Sequence, residues 1–191
     1  MRDRFAPERI LRMMAAIWNS TGPVFAGVGE AEADIRTKLA DDLFRLGNTL
    51  GQLNVIGLAG EHHAESFRLL PSAESATLIG WSYSETGDRD SALAWCRRAI
   101  ETDATLGNPW NDIGALLLEI GELKEAVPWL STATQAPRYD AQGFPWLNLA
   151  RVHEQLGNKM AAFEAAREAL EHLPEDEDAL RIFEESGAGL I

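Results

Sequence analysis

Three glycines, Gly87, Gly121 and Gly157, stand 34 and 36 residues apart, and each separates one helix-like apolar pattern from the next. Other positions fall into register around them. Seven residues before each glycine lies a small residue, Gly80, Gly114 or Ala150, preceded by an aliphatic, Ile79, Ile113 or Leu149. Five and twelve residues after each glycine lie alanines: Ala92 and Ala99, Ala126 and Ala133, Ala162 and Ala169. Eleven before comes Trp110 or Trp146 in two units and Ala76 in the remaining one. Small residues let two helices approach closely, and glycine supplies the backbone freedom for a tight turn between them. The large aromatic fills the space between neighbours. One such helical pair cannot bury its own apolar face, so the pairs must stack.

A period of 34 with these positions resembles the tetratricopeptide repeat. The unit 73–106 carries Gly80, Tyr83, Gly87, Ala92 and Ala99 at signature positions. The unit 107–142 carries Trp110, Ile113, Gly114, Gly121, Ala126 and Ala133, and the unit 143–176 carries Trp146, Leu149, Ala150, Gly157, Ala162, Ala169 and Pro174. Departures exist: Ala104 stands for the closing proline of the first unit, Pro137 comes one position early, and Ala166 replaces an aromatic. The resemblance implies an all-α, right-handed solenoid of helix-turn-helix repeats.

Residues 40–72 read as a degenerate unit, with Leu43, Leu46, Gly47, Leu50, Ala59 and Pro71 at matching offsets and Asn54 in place of the turn glycine. Residues 177–191 supply a capping helix and tail, with Ala179, Leu180, Ile182 and Phe183 covering the end of the last unit, as repeat arrays require. Residues 1–39 form an N-terminal extension. Within it, Pro7–Asn19 is an amphipathic helix candidate, Ser20–Pro23 a breaker, and Gly27 and Gly29 delay helix until about Glu30. The row Leu39, Leu43, Leu46, Leu50 and Leu53 could form a coiled-coil seam, but reads first as the buried face of a helix in the stack. Pro128 should kink its helix.

The chain of 191 residues carries a net charge of −13, which argues against nucleic acid as partner. Residues 1–72 are nearly neutral, with eight bases and nine acids, so the acidity belongs to the repeats and cap. No apolar run is long enough for a membrane span, and acids interrupt the N-terminal arginines where a signal peptide would be clean. The lone Cys96 excludes an intramolecular disulfide and suits a reducing, cytoplasmic setting.

Chemistry is sparse. His62 and His63 are adjacent, so their rings point about 100° apart on a helix and do not suit one metal ion. His63, His153 and Cys96 occupy positions where the repeat places core aromatics. No catalytic constellation, metal site or cofactor is read from the sequence.

The resemblance therefore implies a non-enzymatic module that binds a protein or peptide, basic or amphipathic in character, in a concave groove. The lining expected from repeat position is Thr77, Trp81, Ser84 and Glu85, then Asn111, Ala115, Leu118 and Glu119, then Leu147, Arg151, Glu154 and Gln155. Trp81 is the expected anchor, since concave aromatic anchors carry disproportionate binding energy. The repeat subclass that clamps a chaperone's C-terminal carboxylate does not fit: of Thr77, Trp81, Asp112, Phe144 and Asn148 at the clamp positions, only Asn148 suits, and Asp112 would repel a carboxylate. Trp95 and Trp129 share a position on the second helices and form a candidate convex patch. Alternatives are a structural protein that self-assembles through its N-terminal helices, and a small secretion-type chaperone.

Overall fold

The computed structural model describes residues 26–188, and within them it contains nine helices and no strand. They are α1 (Ala26–Gln52), α2 (Ile56–Leu69), α3 (Ala73–Glu85), α4 (Arg89–Thr102), α5 (Asn108–Glu119), α6 (Leu123–Thr134), α7 (Gly143–Gln155), α8 (Lys159–His172) and α9 (Glu177–Gly187). Consecutive helices pack as antiparallel pairs, and each pair packs on the next, giving an all-α repeat solenoid. The candidate helix Pro7–Asn19 lies outside the described residues.

The turns explain the glycine spacing. Gly87, Gly121 and Gly157 have φ of 83°, 82° and 74°, left-handed values that a β-carbon disfavours. Asn54, at φ 59°, makes the corresponding turn between α1 and α2. Asparagine is among the few other residues that tolerate this region, so the degenerate pair turns like the others. Side-chain caps start three helices: Ser72, Asp88 and Asp176 accept from the backbone N–H three residues on, at 3.1, 3.1 and 2.8 Å.

The core is built from the small residues. Ala92, Ala99, Ala126, Ala133, Ala162 and Ala169 are fully buried. At Gly114, a β-carbon would lie 2.4 Å from Cγ of Leu130, so glycine alone permits that approach of α5 to α6. Trp110 and Trp146 are half-buried between units, and the indole N–H of Trp110 donates to the carbonyl of Ala104 at 3.1 Å. The cap closes the C-terminal end with Ala179 and Ile182 fully buried and Phe183 stacked on Phe163, centroids 4.6 Å apart.

A clasp joins the units 73–106 and 107–142. Arg138, in the loop before α7, pairs with Glu74 at the start of α3 and with Asp103 at the end of α4. Its backbone N–H donates to Thr105 O and its carbonyl accepts from Gly107 N–H, both at 3.0 Å. Pro137, one position early for the repeat, opens this loop.

Two expectations are corrected. Helix begins at Ala26 and includes Gly27 and Gly29, rather than starting near Glu30. The leucine row is not the buried face of α1: Leu39, Leu46 and Leu53 are 48%, 45% and 68% exposed, while Leu43 and Leu50 are half-buried. The face packed on α2 is Ala40, Phe44, Gly47 and Gly51, a second row with the same spacing. Small residues decide between the rows. A β-carbon at Gly47 would sit 2.6 Å from the His63 ring, and the Ser66 hydroxyl reaches the Ala40 carbonyl at 2.8 Å. Leucine at either place would push α2 away. Pro128 lies inside α6, which runs from Leu123 to Thr134.

Candidate functional site

The first helices of successive pairs, α1, α3, α5 and α7, stand side by side. Between α1, α3 and α5 opens a cavity of about 500 Å³, lined among others by Asn48, Gln52, His63, Thr77, Trp81, Asn108 and Asp112. Beside it lies a smaller one of about 80 Å³, with Trp81, Ser84, Cys96, Asp112, Ala115 and Glu119 in its walls. Trp81 and Asp112 belong to both. Trp81 is held on one side by Gly51 of α1, where a β-carbon would come within 3.3 Å of the indole.

Asp112 is the most perturbed acid of the site. It is half-buried at the edge of both cavities, and this burial pushes its pKa up to about 7, offset only in part by a long contact of 3.5 Å from the Asn111 amide. Its charge is felt by Cys96 and Tyr139, whose own burial already raises their pKa values. Burial thus disfavours the thiolate form of Cys96. His63 is buried and held neutral, its pKa lowered to about 4 by burial and by His62. Its ring meets Phe44 edge-on at 5.4 Å, and its Nδ1 is buried without a hydrogen-bond partner. Among the described residues, no three His, Cys, Asp or Glu side chains converge as a metal site requires.

The expected lining residues fall into three groups. Trp81, Ser84, Ala115 and Glu119 come together around the smaller cavity, with Thr77 buried in the wall of the larger one. Glu85 is exposed at the end of α3, and Leu118 packs partly against the core formed by α6, α7 and α8.

The residues on α7 are different. Leu147 is 2% exposed and packs with Ala169 and Ala179, so it presents nothing to a partner and is removed from the lining. Arg151 pairs with Asp178 and Glu154 with Arg181, both at 2.6 Å, so the cap helix α9 occupies these side chains. Gln155 is exposed at the end of α7. A polar chain crosses from the cap toward the cavity: Arg151 donates to Asn148 at 3.3 Å, and Asn148 to Asn111 at 3.0 Å. The two cavities around Trp81 thus lie among α1, α3 and α5.

Reading by repeat position missed Asn48, Gln52, Asn108 and the full weight of Asp112. The clamp positions did place Asp112 on the groove side, and that was the usable signal.

Trp95 and Trp129 are both half-buried and have different aromatic neighbours. Trp95 meets Phe67 edge-on at 5.3 Å, and Trp129 lies 5.4 Å from Trp110.

Comparison with known proteins supports the fold. Residues 73–105 match the tetratricopeptide repeat family. No curated protein matches the sequence significantly. Among solved structures, pilF of Pseudomonas aeruginosa aligns at 20% identity over 79% of this chain and 68% of that one, with a TM-score of 0.72. PilW, a widely conserved type IV pilus biogenesis factor, aligns at 15% identity over 78% of this chain and 70% of that one, TM-score 0.69. YrrB, a tetratricopeptide repeat protein with an unusual peptide-binding site, aligns at 18% over 83% and 86%, TM-score 0.59. At these identities the likeness establishes the fold. No helix among the described residues is long and apolar enough to cross a membrane.

Proposed function

We propose that this chain, a solenoid of tetratricopeptide repeats, is a non-enzymatic adaptor or assembly factor that binds a peptide segment of a protein partner in the groove of α1, α3 and α5. The observation that carries the reading is Trp81, a half-buried indole shared by two adjoining cavities and flanked by side chains that accept hydrogen bonds. A large aromatic in a concave, partly desolvated setting is the usual anchor of a binding site. The groove acids Asp112 and Glu119 favour a basic or amphipathic segment over an acidic one. The lone buried thiol of Cys96 accords with a reducing compartment, the cytoplasm.

Peptides selected by display against the full chain test this. Binding should fall at least tenfold in Trp81→Ala and stay unchanged in Trp129→Ala, with helicity preserved in both. Selected peptides insensitive to Trp81→Ala would move the site elsewhere.

One observation favours a second reading, self-association. Ile35, Leu39 and Leu46 on α1 and Leu53 just past its end are exposed, the three leucines in a row with coiled-coil spacing. Light scattering decides it: a dimer that Leu39→Glu with Leu46→Glu converts to monomer supports the seam, and a monomeric parent chain removes it.

A further inference from the structure

We infer that the groove contains a subsite for an arginine side chain of the bound partner, seated between the indole of Trp81 and the carboxylate of Asp112. This deepens the peptide-binding reading and rests on it.

Four features of the cavity converge on that ligand. First, neither cavity beside Trp81 has a lysine or arginine in its lining, and among the described residues Asp112 forms no salt bridge with either. A half-buried acid without a cation is costly to keep, and such a cost is typical of a functional position. Second, the other polar groups of the larger cavity supply acceptors: the amide oxygens of Asn48, Gln52 and Asn108. Because His63 is held neutral, it does not repel a cation. Third, the indole of Trp81 borders the same space, and aromatic faces attract guanidinium groups by cation–π contact and stacking. Fourth, the space is large enough, at about 500 Å³, for a planar group with several donors that must reach several acceptors at once.

The charge pattern selects sign as well as shape. The other expected groove acids are not equivalent to Asp112. Glu154 is neutralised by Arg181, and Glu119 is exposed and lies 3.8 Å from Arg89. Asp112 is the acid that faces the cavity without a basic neighbour, so a partner cation placed there gains an ion pair that no side chain of the described solenoid provides.

The test titrates isotope-labelled full chain with N-acetyl-arginine methylamide and, in parallel, with its neutral isostere N-acetyl-citrulline methylamide. The arginine compound should shift the Trp81 indole N–H and the His63 and Asp112 amides in a saturable way, and the citrulline compound should not. Asp112→Asn should weaken the arginine compound at least tenfold, and Trp81→Leu, which removes the aromatic face, should do the same. Circular dichroism of each variant establishes that it is folded. Equal binding of citrulline, or shifts scattered over the acidic surface that survive Asp112→Asn, would overturn the subsite. The display-selected peptides separate the two claims. If they lose binding in Trp81→Ala but not in Asp112→Asn, the groove stands and the arginine subsite falls. If they ignore Trp81→Ala, the groove reading itself fails.

Discussion

Asn148 of α7 donates from its side-chain nitrogen to the side-chain oxygen of Asn111 on α5, at 3.0 Å, across the junction of two repeats. Asn148 is buried, so the bond is shielded from water. It also orients Asn111, whose own nitrogen then points to Asp112 at 3.5 Å. Removing either partner leaves the other short of a bond in a partly buried place. Asn148→Ala should cost about 1–2 kcal/mol by urea denaturation, and a double-mutant cycle with Asn111→Ala should give a coupling of about 0.5–1.5 kcal/mol. Additive single effects would show that the two side chains do not act together.

The pH dependence of stability should contain two opposing parts. Asp112 has its pKa raised to about 7 from 3.8, so the native state keeps a proton that the unfolded chain loses. Its part of the stability therefore falls as pH rises from about 4 to about 7 and stays low above that. His63 has its pKa lowered to about 4 from 6.5, so between those values the unfolded chain holds the extra proton and stability rises with pH. Denaturation midpoints at pH 4.5 and 7.5, chosen about the ends of these windows, should thus differ less in the parent chain than in variants that remove either group. Asp112→Asn should unmask the rise, and His63→Phe should unmask the fall, each on the order of 2 kcal/mol. A flat profile in both variants would contradict the burial of these groups.

Glycines in the array do two separate jobs, and alanine should distinguish them. At Gly121 a β-carbon meets open space, but φ is 82°, so Gly121→Ala should cost about 1–2 kcal/mol through backbone strain alone. At Gly114 the β-carbon would collide with Leu130, a fully buried residue. Gly114→Ala should cost about 1–3 kcal/mol by overpacking. Leu130→Ala should cost about 2–5 kcal/mol by leaving a cavity. Because the new methyl enters that cavity, the double variant should be less destabilised than the sum. Gly121→Ala combined with Leu130→Ala should simply add. Calorimetric melts of the five variants check the pattern.

The array was legible where one residue type answers one geometric need. Gly87, Gly121 and Gly157 are read from a spacing because left-handed turns admit few other residues, and Asn54 is read for the same reason. The buried alanines follow from the closeness that the turns impose. The leucine row of α1 misled because periodicity gives the spacing of a face and not its partner. Two rows with one spacing run along that helix, and only the position of α2 selects Ala40, Gly47 and Gly51. The cavity was half legible. Repeat position put Trp81 and Asp112 on the groove side, but the half-burial of Asp112 between two cavities depends on how α3 and α5 stand apart. Contacts between distant segments were not legible at all. Arg138 reaches Glu74 across 64 residues, and α9 takes Arg151 and Glu154 away from the groove. No local pattern in the sequence encodes either.

The cap helix gives the last expectation. Ile182 is fully buried against α8 and its neighbours, and Phe183 stacks on Phe163 at 20° between ring planes. Ile182→Ala should cost about 2–5 kcal/mol, the range for truncating a buried aliphatic. The paired charges at the rim, Asp178 with Arg151 and Arg181, are partly exposed and should contribute much less. Asp178→Asn should therefore leave the melting temperature within a few degrees of the parent chain. It should still free the Arg151 side chain. A peptide segment lying along the groove could then reach Arg151, so any display-selected peptide with an acidic residue toward α7 should bind Asp178→Asn more tightly than the parent. Measuring both quantities on one variant separates holding the solenoid closed from masking its groove. A large loss of stability in Asp178→Asn would show that the ion pairs, and not the apolar stack, hold the cap.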